Sequence, residues 1–239
     1  MTPADADVSQ AQAAFDDLLE HRDAYATLPS AEPYDDILQT ARMIVQFEQV
    51  LAADASSAAG FELRDQSMAE NVTWLLDRGG PASKIILWAH NTHVAATAQP
   101  LPDGTLLRGM GSHLRERYGD ELLVVGFDAF SGTFTARGAD PSRIPSADIA
   151  RTHALPLPLP ESAEYTFAQL GLPRFMLDLR SVEDTTAAGS WLIEARPMWS
   201  IGAVFDPAIV EDPRVVASLV HQFDVLLYVH ETSASQLLV

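Results

Sequence analysis

Apolar residues recur at helical spacing through the first third of the chain and gather into short continuous runs in the remainder. From Ser9 to Leu28, the residues Phe15, Leu18, Leu19 and Tyr25 share one helical face, and Pro29 closes the segment. A second helix is predicted from Tyr34 to Ala53, with Ile37, Leu38, Ala41, Val45 and Leu51 on one side. Both read as packing helices with solvated charged faces. A third, from Arg64 to Asp77, sets Arg64, Met68 and Asn71 at i, i+4 and i+7, on one face. Gly79, Gly80 and Pro81 then lead into a different pattern.

That pattern opens with residues 84 to 93, an apolar run from Lys84 that stops abruptly at His90-Asn91-Thr92-His93. A run of this kind predicts a strand buried on both faces, as in parallel sheets. A loop over 94 to 105 follows, then Arg108-Gly109-Met110-Gly111-Ser112-His113 opening a helix that ends at Tyr118-Gly119. Further strands are predicted at Glu121 to Phe127, with Asp128 at the carboxyl end, at Phe130 to Thr135, Arg174 to Leu179, Ile201 to Phe205 and Asp224 to Val229. Helices are expected at Glu161 to Leu170 and Arg214 to Gln222, and the proline-rich stretch 137 to 160 reads as a long surface loop. Alternating helices and apolar strands specify an α/β fold with a largely parallel sheet flanked by helices.

Composition narrows the chemistry. At 239 residues the chain suits one domain, helical over 9–78 and α/β over 79–239, able to bury roughly 70% of its unfolded surface. It has no Cys, which removes disulfides, thiolate nucleophiles and Cys-based zinc sites. The net charge of −18 argues against nucleic acid and against an anionic membrane surface as partners. Only Lys84 among the fifteen basic residues is a lysine, which reads as genome composition, and the acidic surface fits either a salty cytoplasm or simple solubility. The acidic start Met-Thr-Pro-Ala-Asp-Ala-Asp lacks a basic region and an apolar core, and no apolar run has the length of a membrane span, so a soluble cytoplasmic protein is expected.

Candidate chemistry concentrates at the histidines. Ligands collect outside the carboxyl ends of strands in open α/β sheets, and His90, Asn91 and His93 crowd such an end. A lone histidine there is commonly a capping residue; three polar side chains together are costly to desolvate and point to a site. Arg64 and Asn71 could anchor an anionic or carbonyl group, or simply form an exposed helix face. There is no G-x-S-x-G nucleophile elbow and no P-loop, and Gly109-Met110-Gly111 lacks the third glycine of a dinucleotide fingerprint, Leu standing at 114. His90 and His93 would bind zinc only if a carboxylate such as Asp128 or Glu231 approached; the zincin spacing is absent, and neither metal nor other cofactor is expected.

The whole pattern resembles the erythromycin esterase family. The resemblance rests on Arg64-Asp65-x-x-Met68-Ala69-x-Asn71-Val72-x-Trp74, on Trp88-Ala89-His90-Asn91-x-His93-Val94, and on Met110-Gly111 ahead of Tyr118-Gly119. It continues through Val125-Gly126-Phe127, Ser131-Gly132-Thr133, Leu172-Pro173-Arg174-Phe175, Leu177-Asp178-Leu179-Arg180, Ser200-Ile201-Gly202-Ala203-Val204 and the closing Phe223-Asp224 with Glu231-Thr232. It implies hydrolysis of a carboxylic ester, best known as the macrolactone of macrolides and hence antibiotic resistance, by histidine-activated water without a metal. On it, His90 and His93 belong to the catalytic cleft with Arg64 as carbonyl or oxyanion anchor, while Asn71, Asn91 and Met68 contact substrate or orient their neighbours.

The resemblance also implies a segment this chain lacks. Family members carry an earlier Gly-Glu-x-x-His, and no Glu stands three positions before any of the seven histidines here. Three readings follow: a fragment or misassigned start, a chain that works with a separate N-terminal partner half, or a homologue that has lost hydrolysis and kept a binding or structural role. A missing sheet half exposes strand edges, so a homodimer or a partner half is expected alongside a small-molecule ester substrate.

Overall fold

The computed structural model describes residues 3–30, 32–54, 57–101, 104–138, 150–205 and 214–236. The chain divides into two compact units, Met1–Ile86 and Leu87–Val239.

The first unit is helical: α1 (Pro3–Glu20), α2 (Arg22–Tyr25), α3 (Tyr34–Ala52) and α4 (Ala58–Gly79). The first predicted helix is thus two, with the break after Glu20. Helix α4 starts before Arg64 because the Ser57 hydroxyl accepts the Gly60 N–H at 3.0 Å, a cap that hydrophobic spacing does not reveal. Helices α3 and α4 are joined by polar contacts. Gln39 donates to Asn71 at 2.6 Å, Asn71 donates to Gln46 at 3.1 Å, and Glu70 accepts from Arg42 at 2.8 Å and from Gln46 at 3.0 Å. Gln39 and Gln46 are therefore buried while Ile37, Met43, Ile44, Phe47 and Leu51 are exposed, so the apolar face expected of α3 is only partly inward.

The second unit holds α5 (Asn91–Val94), the pair β1 (Gln99–Pro100) and β2 (Leu106–Leu107), α6 (Met110–Tyr118), a single 3₁₀ turn over Gly119–Glu121, β3 (Val125–Arg137) and β4 (Ala150–Ala154). It continues with α7 (Ala163–Ala168), β5 (Arg174–Asp178), α8 (Ala187–Ile193), β6 (Arg196–Trp199), β7 (Arg214–Ala217), α9 (Leu219–Gln222) and β8 (Val225–Thr232). Four strands form the main sheet in the order β4-β3-β8-β5. The α/β class holds, and the pairing is mixed: β3 and β8 run parallel, with β4 and β5 antiparallel at the flanks.

Register places Asp128 beside Tyr228 and Phe175 beside Tyr228, so one sheet face carries Gly126, Asp128, Leu226, Tyr228, Phe175 and Leu177. Onto that face pack Phe167, Leu179, Met198, Leu219 and Phe223, with Tyr228 stacked on Phe175 at 4.8 Å between ring centroids.

Several expected elements differ. The strand expected from Lys84 has no ladder partner among the described residues, and instead of being buried Ile86 is 93% and Trp88 85% exposed. An apolar run favours extended backbone, but a strand requires another strand to take its backbone hydrogen bonds. The two strands expected around Asp128 are one, since β3 runs unbroken from 125 to 137. Among the described residues, 201–205 make only an isolated bridge, Arg137 with Val204. The helix expected over 214–222 splits: Val215 and Val216 pair with β6, and only after Ser218 caps the His221 N–H does a helical turn form. Strand β4 lies within the expected loop 137–160, of which 139–149 fall outside the described residues.

Candidate active site

His90 caps α5: its Nδ1 accepts the Thr92 N–H at 3.2 Å, and its carbonyl accepts the His93 N–H at 2.9 Å. With Nδ1 occupied by a donor, the neutral imidazole carries its proton on Nε2. Burial lowers the affinity of this ring for a second proton, and the neighbouring His93 acts in the same direction; a hydrogen bond with the Ile201 backbone opposes both. The net effect keeps His90 neutral further into acid than an exposed histidine.

The turn that carries the histidines is fixed by side chains to distant parts of its own unit. Asn91 donates to the Phe127 carbonyl at 2.6 Å and accepts the Phe127 N–H at 3.1 Å, satisfying one residue of β3 on the flank away from β8. Thr92 and Ser200 share a hydroxyl contact at 3.0 Å, and the Ala96 N–H donates to the Gln222 carbonyl at 2.9 Å. Contacts from three directions therefore fix the geometry of this turn.

Gly109 and Gly111 serve this turn. A Cβ at Gly109 would lie 2.3 Å from the Thr92 carbonyl oxygen, and one at Gly111 would lie 1.9 Å from that of Val94. Both distances are far inside contact, so only glycine lets α6 approach the backbone of α5 this closely. Gly111→Ala is expected to cost about 1–3 kcal/mol through overpacking and to push the His90–His93 turn away from α6. Urea unfolding, with histidine ring NMR shifts as the positional readout, checks both effects.

The chain matches the family model for erythromycin esterase over residues 2–232. It belongs to the erythromycin esterase family. Among relatives, a putative hydrolase, YbfO, of Bacillus subtilis (strain 168) is 37% identical over 75 residues, 30% of this chain and 17% of its own length. Erythromycin esterase type II of Escherichia coli is 29% identical over 108 residues, 42% of this chain and 26% of its own. A Bacillus cereus protein of known crystal structure superposes with a TM-score of 0.76 at 27% identity, covering 96% of this chain and 52% of its own. The chain therefore spans about half the length of that relative, and its matches to the two curated proteins cover smaller shares of theirs.

Of the site residues that the erythromycin esterase resemblance names, His90, Asn91 and His93 converge on one turn of the α/β unit. Both ends of the Asn91 amide are engaged by Phe127, which makes it an orienting residue. Arg64, Met68 and Asn71 lie in α4 of the helical unit. There the Arg64 guanidinium sits over the Phe61 ring at 5.1 Å and 3.5 Å from the fully buried Asp65, while the Asn71 amide joins α3 through Gln39 and Gln46.

Asp128, expected at a strand end, lies inside β3 and faces the core. Burial, and after it the Glu164 carboxylate, raise its pKa well above the ordinary carboxylate range. Tyr228 beside it is pushed up to about 12 by burial, Asp128 and Glu164. Among the described residues no three His, Asp or Glu side chains converge as a metal site. Sequence reasoning missed the partners that fix the histidine turn, Phe127, Ser200 and Ile201, because each is far away in the chain.

Proposed function

We propose that this chain hydrolyses a carboxylic ester by histidine-assisted attack of water, without a metal, with a macrolactone as the substrate class that the name of the E. coli relative suggests. The observation that carries the reading is the clamped turn in which His90 and His93 stand three residues apart, tied to β3 through the Asn91 side chain between them.

The two rings divide the work. His90 has Nδ1 occupied by the Thr92 amide and a further bond with the Ile201 backbone, so it is poorly placed to accept a proton and acts as a fixed neutral neighbour. His93, half-buried on the same turn, takes the proton from water as it attacks the ester carbonyl and returns it to the leaving alkoxide. The tetrahedral oxyanion requires a donor, and the Nε2–H of His90 supplies one where substrate displaces its backbone contact.

The test is incubation of the purified chain with a panel of macrolides and simple esters, read by mass spectrometry for the addition of one water. Hydrolysis is expected. His93→Ala lowers kcat/KM by about 10²–10⁴-fold, the usual worth of a positioned acid/base, and a chelator leaves the rate unchanged. Turnover indifferent to His93→Ala sinks the assignment, and no hydrolysis across the panel favours a binding role.

A further inference from the structure

Two glutamines meet in the interior of the α/β unit. Gln99 is 2% and Gln222 3% exposed. The Gln99 amide nitrogen donates to the Gln222 Oε1 at 3.3 Å, and the Gln222 amide nitrogen donates to the Thr97 hydroxyl at 2.8 Å. The Gln222 carbonyl also accepts the Ala96 N–H at 2.9 Å. One residue therefore holds positions 96, 97 and 99 of the segment that leaves the His90–His93 turn.

Gln222 is itself fixed. It ends α9, where its N–H donates to the Ser218 carbonyl at 3.1 Å. The next residue, the buried Phe223, presses on β3 so closely that a Cβ at Gly126 would lie 2.7 Å from its ring. Beside Gly126 in β3 is Phe127, whose N–H and carbonyl are held by the Asn91 side chain. The start and the exit of the histidine turn are thus both referred to adjacent residues of one strand. Asn91 makes the first tie at 127, and Gln222 with Phe223 makes the second at 126. Apolar side chains of the same shape could fill this volume at little cost, because replacing both partners of a buried hydrogen bond is nearly neutral for stability. What the amide adds is direction: a donor and an acceptor at fixed angles, which apolar packing does not supply.

We propose that Gln222 is a positioning residue of the histidine turn, its amide setting the path of residues 96–99 and through it the place of His93. The kinetic part of this inference rests on the hydrolytic reading of His93, and the positional part does not.

The test is Gln222→Met, which keeps the length and much of the volume and removes the amide. Thr97→Val removes the same contact at an exposed position and serves as well should the first variant fail to fold. Both are read by the NMR ring resonances of His93, identified by their loss in His93→Ala, and by kcat and KM for an ester that the native chain hydrolyses. The His93 resonances are expected to move in both variants. A fall in kcat of about tenfold or more should accompany this, with KM little changed, as a small misplacement of a reacting group produces. Combining the two substitutions should cost no more than Gln222→Met alone, since both remove one contact. A merely structural role leaves kcat of the folded variants at its native value, and moved resonances with unchanged kcat overturn the proposal. Resonances unmoved in both variants overturn it whether or not any ester is hydrolysed. A native chain that hydrolyses no ester sinks the hydrolytic reading alone, and the resonances then decide whether Gln222 positions the turn.

Discussion

Arg214→Met is expected to cost the α/β unit about 3–5 kcal/mol, the range for removing one partner of a buried ion pair. The Arg214 side chain is 7% exposed and that of Glu164 fully buried, with the guanidinium 3.8 Å from the carboxylate. That separation is long for a hydrogen bond, so the attraction is chiefly Coulombic and rises as water is excluded. Arg214 also donates to the Leu157 carbonyl at 2.6 Å and lies over the Trp199 ring at 4.0 Å. Methionine keeps much of the packing but removes the Arg214 charge from beside the buried Glu164. Glu164→Gln in the same chain should recover a substantial part of the loss, because the penalty belongs to the abandoned charge more than to the missing contact. Urea unfolding of the single and double variants measures both terms. A cost for Arg214→Met below about 1 kcal/mol, the worth of an exposed pair, would show that water reaches the pair.

This cluster illustrates what the chain pattern conceals. Asp128 and Glu164 are ordinary acidic residues in the sequence, and only the packing of α7 on the sheet brings them together in the core. The helices of the first unit were legible because amphipathic spacing is local, and the caps that set their ends were less so. That polar side chains crowd residues 90–93 after an apolar run was legible, but the helical turn they form and its clamps at Phe127, Ser200 and Gln222 depend on contacts across a large part of the chain. The Lys84 run was read as a buried strand from its composition alone. Burial and pairing are properties of the neighbours that surround a segment, and among the described residues this one has no strand beside it. Residues 214–217 failed in the opposite sense: their period suits a short helix, but β-branched Val215 and Val216 fit a hairpin once β6 lies alongside.

Asp128→Asn is expected to stabilise the protein, by an amount that grows with pH. The carboxyl is buried, its Oδ1 accepts the Ala129 N–H at 2.9 Å, and its other oxygen has no hydrogen-bond partner among the described residues. The groups facing it are the Glu164 carboxylate, the Tyr228 hydroxyl and, through Glu164, the Arg214 guanidinium. Burial, and after it the Glu164 carboxylate, oppose ionisation, so the folded protein holds a proton on Asp128 where the unfolded chain has released it. The unfolded carboxyl titrates near 4. Below that pH the proton is bound in both states and the contribution of Asp128 to stability is fully present. As pH rises above about 4 the native state binds more protons than the unfolded state, and stability falls by up to ~1.4 kcal/mol per pH unit until the native group itself titrates. Asparagine retains the Oδ1 acceptor and has no proton to lose, so this slope vanishes. Unfolding free energies of the two proteins should coincide near pH 4 and diverge steadily at pH 5, 6 and 7, with the variant the more stable. Other titrating groups are common to both chains and cancel in the difference. A constant difference across that range would mean that Asp128 is ionised in the folded protein and that Arg214 serves both carboxylates.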